Sequence, residues 1–230
     1  MNKLAFLSIV IASCLVSNLE ATAICKISKS TKTKVTLSCT GKNKITCSGK
    51  SLKDNNKSLG SSCPLSSLIV NGSSGADKLT LKGNLAKSLK VYGKAGNDTI
   101  DLSGVTAGSS SKTAAVETPA VDISGGPGDD DITGSPFDDT IDGDDGDDSI
   151  SAGDGDDDIN GGDGDDEISG DDGDDSFDGG DGNDDMWGGE GDDNFDGGPG
   201  DDSEHTFPGD NDQFNNEDGG NDNLNNDDHH

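Results

Sequence analysis

The chain has 230 residues, with 47 Asp and Glu against 16 basic residues, all of them Lys, and a formal net charge of −31 at pH 7. A charge of this sign attracts cations and repels nucleic acids and anionic membranes, which excludes both as partners of the acidic part. The positive and negative charges also lie mainly in different parts of the chain. Residues 24–112 carry fifteen Lys and four Asp, whereas residues 113–230 carry 42 carboxylates and no Lys, so the two parts need separate explanations.

Residues 1–23 have the features of a signal peptide. Lys3 precedes an apolar run, Leu4 to Val16, that is too short to span a bilayer, and Ala21-Thr22-Ala23 follows as a small-residue cleavage site. We therefore expect export, cleavage after Ala23 and an extracellular protein without a transmembrane segment. The alternative is a lipoprotein, because residues 11–14 resemble a lipobox that would leave Cys14 as an acylated N-terminus.

Residues 24–67 form a Lys-rich region with short alternating runs. The alternation places Val35 and Leu37 on one face and Ile45 and Cys47 on one face after a turn at residues 41–43. This pattern predicts a β-hairpin that is too small to bury much core unaided. Its Lys residues form either a solvated face or an anion-binding patch, and a solvated face is the commoner meaning of such a charge run.

Four cysteines remain after the signal segment, all within this Lys-rich region. An even number of cysteines in an exported protein predicts two disulfides, in one of three possible pairings. A zinc site is the alternative, but the spacing lacks the short Cys-x-x-Cys pattern that favours zinc. The four residues are Cys25, Cys39, Cys47 and Cys63.

Residues 68–124 carry apolar pairs with one residue between the two members. Glycine and serine interrupt every interval, which argues against helix and favours short strands stacked as successive rungs. A Ser/Thr/Ala-rich insertion separates the last pair from the others. The pairs are Leu68/Val70, Leu79/Leu81, Leu89/Val91, Ile100/Leu102 and Val121/Ile123.

Residues 125–205 divide into nine consecutive nonapeptides without a gap. The fourth position is Gly except at Phe137, and the eighth is apolar except at Glu204. Outlying copies in the same phase occupy residues 72–80 and 93–101. The sixth position is always Asp: Asp130, Asp139, Asp148, Asp157, Asp166, Asp175, Asp184, Asp193 and Asp202.

Such strict phase predicts a folded repeat rather than the disordered polyanion that composition alone would suggest. Gly at positions one, two and four permits a tight left-handed turn, and the last three residues form a strand. If each nonapeptide is half a coil, two sheets form, and alternate repeats stack in each. One sheet buries Ile132, Ile150, Ile168 and Met186, and the other buries Ile141, Ile159, Phe177 and Phe195.

The pattern decays in residues 206–230. In phase with the repeats, Asn211 stands where Asp belongs and Gln213 where an apolar residue belongs. We expect a degenerate polar cap followed by an acidic disordered tail that includes His229 and His230.

The regularly placed carboxylates predict a calcium site. Neighbouring carboxylates about 5 Å apart repel by about 3 kcal/mol at an effective dielectric near 20, so the metal-free roll is not expected to be stable. Calcium reverses this repulsion and accepts the all-oxygen shell of carboxylates and turn carbonyls, whereas magnesium requires stricter geometry. No His or Cys lies in the first eight repeats, which argues against zinc and copper.

These nonapeptides resemble the repeats-in-toxin (RTX, hemolysin-type) calcium-binding family, whose consensus is G-G-x-G-x-D-x-U-x, where U is apolar. The resemblance implies an all-β parallel β-roll, with calcium held between adjacent turns by the sixth-position Asp residues and turn carbonyls. It also implies folding outside the cell and about seven sites. Phe137, Ala152 and Glu204 depart from the consensus, and the N-terminal signal departs from the C-terminal signal of typical members.

The sequence favours a non-enzymatic extracellular calcium binder, such as a structural, adhesive or matrix component that contacts other surface molecules. An accessory module of a secreted toxin or hydrolase is one alternative, although the chain has no H-E-x-x-H or G-x-S-x-G motif, and its histidines are His205, His229 and His230. An ice-binding roll is another. Its outward Thr and Asn ladders are absent here, since the fifth position is mostly Asp.

Overall fold

A computed structural model describes residues 26–30, 34–38, 42–48, 51–54, 57–58, 67–83, 88–106, 120–206, 211–215 and 223–226. Side chains are described for Leu37 and for residues 67–83, 88–106, 120–206 and 211–215. Within these ranges the regular structure is entirely β-strand. A helix long and apolar enough to cross a membrane is not found in the described residues.

The strands form two sheets. Sheet A has ten, in the order β1 (Lys26–Ser30), β2 (Lys34–Ser38), β6 (Ser67–Asn71), β8 (Ser88–Tyr92), β10 (Ala120–Ser124), β12 (Asp139–Asp145), β14 (Asp158–Asp163), β16 (Ser176–Asp181), β18 (Asn194–Asp196) and β20 (Gln213–Asn215). Sheet B has eleven, in the order β21 (Asn223–Asn226), β19 (Ser203–Thr206), β17 (Asp185–Glu190), β15 (Glu167–Asp172), β13 (Ser149–Asp154), β11 (Asp131–Thr133), β9 (Thr99–Val105), β7 (Lys78–Gly83), β3 (Lys42–Ser48), β4 (Ser51–Asp54) and β5 (Lys57–Ser58).

The nonapeptides build a parallel β-roll in which the chain alternates between the sheets. Each strand pairs in parallel with the strand two repeats later, so that Ile141 lies beside Ile159 in sheet A and Ile150 beside Ile168 in sheet B. All eight predicted core side chains from Ile132 to Phe195 are at most 3% exposed. The predicted β-roll, and the division of its core between two sheets, are therefore confirmed.

The same two sheets continue through the less regular part of the chain. The predicted pairs from Leu68/Val70 to Val121/Ile123 lie on β6 to β10, and all ten side chains are buried. On the outer face of sheet A, the Lys90 ammonium forms an ion pair with the Asp122 carboxylate one strand away. Lys82 and Asp101 approach to 3.8 Å on sheet B. The prediction of stacked rungs is confirmed here as well.

The predicted hairpin between residues 35–39 and 45–47 is wrong. β2 belongs to sheet A, where it pairs antiparallel with β1 and parallel with β6, whereas β3 belongs to sheet B and pairs with β4 and β7. β2 ends at Ser38 in sheet A and β3 begins at Lys42 in sheet B, and Leu37 of β2 is buried in the core. These strands therefore continue the two sheets, and the boundary at residue 67 stays a prediction.

The two predicted disulfides and the signal segment lie outside the described residues. Cys25, Cys39 and Cys63 fall in ranges that the structure does not describe, as do residues 1–25 as a whole. Cys47 lies on β3, opposite Leu52 of β4, but only its backbone is described. The disulfides and the signal peptide stay predictions.

The expectation of a degenerate pattern after residue 205 needs a correction. β20 pairs with β18, with Phe214 beside Phe195 and Gln213 beside Asn194. The amide of Asp193 donates to Oδ1 of Asp212, 19 residues later, where the other repeats use 18. One extra residue has shifted the frame, so Asp212 and Phe214 occupy the positions assigned to Asn211 and Gln213. β21 extends sheet B further, and residues 216–222 and 227–230 lie outside the described part.

Candidate calcium centre

The turns between the sheets form two rows of buried carboxylates. Turns that lead from sheet A to sheet B make the long row. The Asp residues that end these turns are Asp77, Asp98, Asp130, Asp148, Asp166, Asp184 and Asp202. Turns that lead from sheet B to sheet A make the short row, with Asp139, Asp157, Asp175, Asp193 and Asp212. Apart from Asp212, these side chains are only 1 to 4% exposed.

A hydrogen-bond ladder orients the carboxylates in each row. The backbone amide of Asp130 donates to Oδ1 of Asp148, one coil later, at 2.7 Å, and the amide of Asp148 donates to Oδ1 of Asp166 at 2.8 Å. In the short row the amide of Asp139 donates to Oδ1 of Asp157 at 2.7 Å. One oxygen of each carboxylate is therefore held by the preceding coil, which fixes where the other oxygen lies.

That other oxygen, Oδ2, is buried without a hydrogen-bond partner in seven residues of the two rows. A buried acceptor that lacks a partner costs free energy of folding, and such atoms in proteins usually bind a ligand, an ion or a water molecule. Five of the seven belong to the long row and two to the short row. They are Asp98, Asp130, Asp148, Asp166 and Asp184, and then Asp157 and Asp175.

In these turns the glycine at position one lies close to Oδ2 and also to a carbonyl oxygen of the next coil. A Cβ added to Gly125 would lie 2.3 Å from Oδ2 of Asp130 and 2.8 Å from the carbonyl oxygen of Gly143. At Gly143 the corresponding distances, to Asp148 Oδ2 and to the carbonyl of Gly161, are both 2.3 Å. A carboxylate oxygen and a carbonyl oxygen from successive coils thus lie near the same glycine, and both are oxygen ligands of the type that calcium prefers.

The role predicted for glycine at position one needs a correction. Positions two and four do have left-handed backbone, as at Gly162 (φ +113°) and Gly146 (φ +137°), but position one does not have a positive φ in the nonapeptides. Glycine is favoured there because a side chain would approach the Asp carboxylate of its own turn too closely, and Ala152 is the exception. At position two the left-handed conformation is also adopted by Asp144 and Asp171.

Burial raises the pKa of these carboxyls, because a charged carboxylate is disfavoured away from water. The hydrogen bond that each accepts from the neighbouring backbone lowers the pKa in part, and neighbouring carboxylates raise it further. The pKa is raised to about 6 for Asp98 and Asp166, about 7 for Asp130, Asp139, Asp157, Asp175 and Asp184, and about 8 for Asp148.

In the part of the chain that the structure describes, no three His, Cys, Asp or Glu side chains converge to hold a metal ion. The carboxylates enter one per turn, and the carbonyl oxygens of the turns lie between them. A cation in these rows therefore relies on peptide carbonyls as well as on Asp oxygens, which is the hard, oxygen-only environment that calcium prefers.

Comparison with known families agrees with this geometry. The model of the RTX calcium-binding nonapeptide repeat matches the chain in four copies, over residues 90–104, 124–159, 151–186 and 169–204. The chain carries RTX calcium-binding nonapeptide repeats. RTX repeats bind Ca²⁺, and the two rows are where the RTX turns of this chain bring Asp and carbonyl oxygens together. No curated protein and no solved structure matched the chain.

The RTX rows contain all nine predicted Asp residues and three more. Asp77 and Asp98 extend the long row, and the in-phase copies at residues 72–80 and 93–101 could have identified them. The family match over residues 90–104 includes Asp98. Asp212 extends the short row and was hidden by the one-residue frame shift.

The departures from the RTX consensus lie at identifiable places. Phe137, at position four of the second repeat, packs partly buried against the core at the start of the short row. Ala152 is fully buried at position one, and its carbonyl oxygen lies against Gly134 of the preceding coil. Glu204 is fully buried beside Met186, at the end of the apolar column of sheet B.

Proposed function

We propose that this protein is an exported, non-enzymatic calcium-binding protein whose β-roll folds as calcium binds, and that it serves as a structural, adhesive or matrix component. The observation that carries the proposal is the set of seven buried Oδ2 atoms without hydrogen-bond partners, which lie on successive turns of the two rows. A protein that only needed a stable solenoid would gain from replacing them with apolar side chains.

The residues of the chain account for the dependence on calcium. Folding the roll brings the carboxylates of successive coils together and removes them from water, and both effects disfavour the charged forms. Bound calcium supplies positive charge between the coils. The Asp side chains and turn carbonyls then become ligands instead of repelling one another, so binding stabilises only the folded state.

The proposed location and role rest on the sequence. Residues 1–23 have the order of features that directs export, and extracellular calcium-binding modules work at the higher calcium concentrations found outside cells. The motifs of metallopeptidases and serine hydrolases do not occur in the 230 residues. Most residues of the nonapeptides form the strands and turns of the roll, which supports a mechanical or scaffolding role.

The test is a calcium titration of the purified chain after exhaustive removal of metal, followed by far-ultraviolet circular dichroism and by the emission of Trp187. We expect a cooperative gain of β-structure with calcium and little gain with the same concentration of magnesium. A chain that is equally compact after dialysis against EGTA would contradict the proposal.

A pair of adjacent residues supplies a matched control. Asp148→Asn removes a charge from the long row and should raise the calcium concentration at the midpoint of folding several-fold. Asp147→Asn makes the same change at the exposed neighbouring position, where Oδ1 accepts only from the amide of Asp165, and should shift the midpoint little. Equal shifts for the two variants would contradict the assignment of the buried row as the site.

A further inference from the structure

The first Asp of each row differs from those that follow, because a serine of its own turn binds its carboxylate. In the short row, Ser135 donates to Asp139 twice: its amide to Oδ2 at 2.6 Å and its hydroxyl to Oδ1 at 2.7 Å. In the long row, the amide and the hydroxyl of Ser73 donate to Oδ2 of Asp77 at 2.5 and 2.9 Å. The carboxylate oxygen that faces the intercoil space elsewhere is therefore occupied at both starting turns.

The serines stand at position two of the nonapeptide, and the backbone there differs from that of the other turns. Position two has a positive φ from Lys94 and Gly126 through Gly198, but neither Ser73 nor Ser135 has one. With the ordinary backbone conformation, the serine amide points at the carboxylate of its own turn. The hydroxyl then adds a second donor to the same group.

In the long row the chain also supplies a cation of its own. Nζ of Lys94, at position two of the second turn, donates to the carbonyl oxygen of Gly72 in the first turn at 3.0 Å. This carbonyl is the position-one oxygen of its turn, the counterpart of those that face the intercoil space in later turns. An ammonium group thus connects the first two turns of the long row.

We infer that each row of calcium sites is closed at its N-terminal end by a serine whose amide and hydroxyl replace the ion, so that the long row of calcium ligands begins at Asp98 and the short row at Asp157. The inference rests on the proposed function, because it states where calcium binding stops within the same rows. Asp77 and Asp139 are then structural residues, and the starting coils keep their turns closed without metal.

The inference accounts for the distribution of the partnerless Oδ2 atoms. They occur from Asp98 to Asp184 in the long row and at Asp157 and Asp175 in the short row, but not at Asp139, which is equally buried at 3% exposure. Burial alone therefore does not decide which carboxylate lacks a partner. At Asp139 the serine at position two of the same turn supplies the partner.

The test counts calcium ions bound per chain by isothermal titration calorimetry, with folding of each variant checked by circular dichroism in saturating calcium. Ser135→Gly restores the consensus residue and permits a positive φ, so it should add one ion. Ser135→Thr keeps the hydroxyl and the backbone conformation and should leave the number of ions unchanged.

A second site keeps the inference falsifiable if the buried Ser135 does not tolerate substitution. The double variant Ser73→Gly with Lys94→Gly removes the serine hydroxyl and the ammonium group from the first two turns of the long row and should also add one ion, whereas Ser73→Thr should add none. An unchanged ion count in the folded glycine variants of both rows would overturn the inference. So would an equal gain in the threonine controls. If the unaltered chain binds no calcium, the proposed function fails first, and this outcome is distinct from the other two.

Discussion

At the scale of the residue, nearby oxygen atoms leave little room for a side chain at position one of the nonapeptide. A Cβ at Gly161 would lie 2.3 Å from Oδ2 of Asp166 and 2.5 Å from the carbonyl oxygen of Gly179. Both distances are far below an ordinary carbon–oxygen contact. A side chain at this position would therefore have to displace the Asp carboxylate or the next coil.

Substitution at this position should weaken calcium binding. Gly161→Ala places a methyl group against Asp166 and the next coil, and we expect the calcium midpoint of folding to rise about tenfold, equivalent to about 1.4 kcal/mol. Titration followed by circular dichroism measures the shift. Gly75→Ala is the matched control, because a Cβ there meets nothing within 4 Å. A similar shift in both variants would contradict the explanation.

The raised pKa values predict how the metal-free protein responds to acid. Burial raises the pKa of Asp130 to about 7 and that of Asp148 to about 8, above the usual 3.8, so the folded state binds more protons than the unfolded state. This contribution to stability is complete below about pH 4 and is lost as the pH rises through about 6 to 8. Calcium-free protein should therefore gain β-structure as the pH falls from 8 towards 4, measured by circular dichroism. No gain over this range would count against the burial of these groups.

At the scale of the element, an aromatic column replaces the isoleucines at the C-terminal end of sheet A. The rings of Phe177 and Phe195 stack with centroids 4.7 Å apart, and those of Phe195 and Phe214 with centroids 5.3 Å apart. Parallel pairing in register aligns these rings one above the other on successive strands. The middle ring therefore joins three strands.

Removal of the middle ring should destabilise the calcium-bound roll. Phe195→Ala leaves a cavity in the core and should lower the free energy of unfolding by about 3 to 5 kcal/mol. Phe214→Ala, at the 37% exposed end of the column, should cost much less. Urea unfolding in saturating calcium measures the free energy of unfolding of both variants. Equal losses of free energy would contradict the larger contribution expected from the middle ring.

A second stack explains why Trp187 is a suitable reporter. Its ring lies 4.8 Å from the ring of His205 on the neighbouring strand of sheet B, and Nε2 of His205 lies 2.7 Å from Oδ1 of Asp185. The pair forms only when β19 joins β17. Trp187 emission therefore reports the docking of the last repeat, whereas circular dichroism reports the roll as a whole.

The sequence was most informative where its pattern was regular. The constant spacing of Asp and apolar residues was sufficient to predict the sheets, the core and the nine carboxylates. It did not identify the partner of β2, because alternation shows which face of a strand is buried and carries no information on which strand lies beside it. The fixed spacing also concealed Asp212, since one extra residue changes the frame without changing the fold. The roles of Ser73 and Ser135 depend on backbone dihedrals, which a polar residue at position two does not reveal.

At the scale of the whole molecule, the order of the strands turns the division of charge in the sequence into a division along the roll. The Lys-rich strands lie towards one end of both sheets and the Asp-rich repeats towards the other. Within the chain, the contact of Lys90 with Asp122 shows that Lys and Asp of adjacent strands pair on the outer face.

This division predicts that chains associate head to tail at low ionic strength. Sedimentation of the calcium-bound protein should detect oligomers at about 20 mM salt that dissociate as salt is added, because screening shortens the range of the attraction. Monomers at low salt would refute the prediction. The calcium concentration is held constant throughout, so that changes in folding do not contribute.

The hydrogen-bond ladder also gives the roll a direction. Each buried Asp amide donates forward, to a carboxylate of the coil that comes later in the chain, as Asp193 does to Asp212. A polypeptide shortened from its C-terminus would thus lose the carboxylate that accepts from the last remaining Asp amide, whereas one shortened from its N-terminus would keep the acceptors of the remaining Asp amides. Each coil therefore depends on the coil that follows it in the chain for the acceptor of its Asp amide. We expect unfolding that begins at the C-terminal coil to weaken each earlier coil in turn.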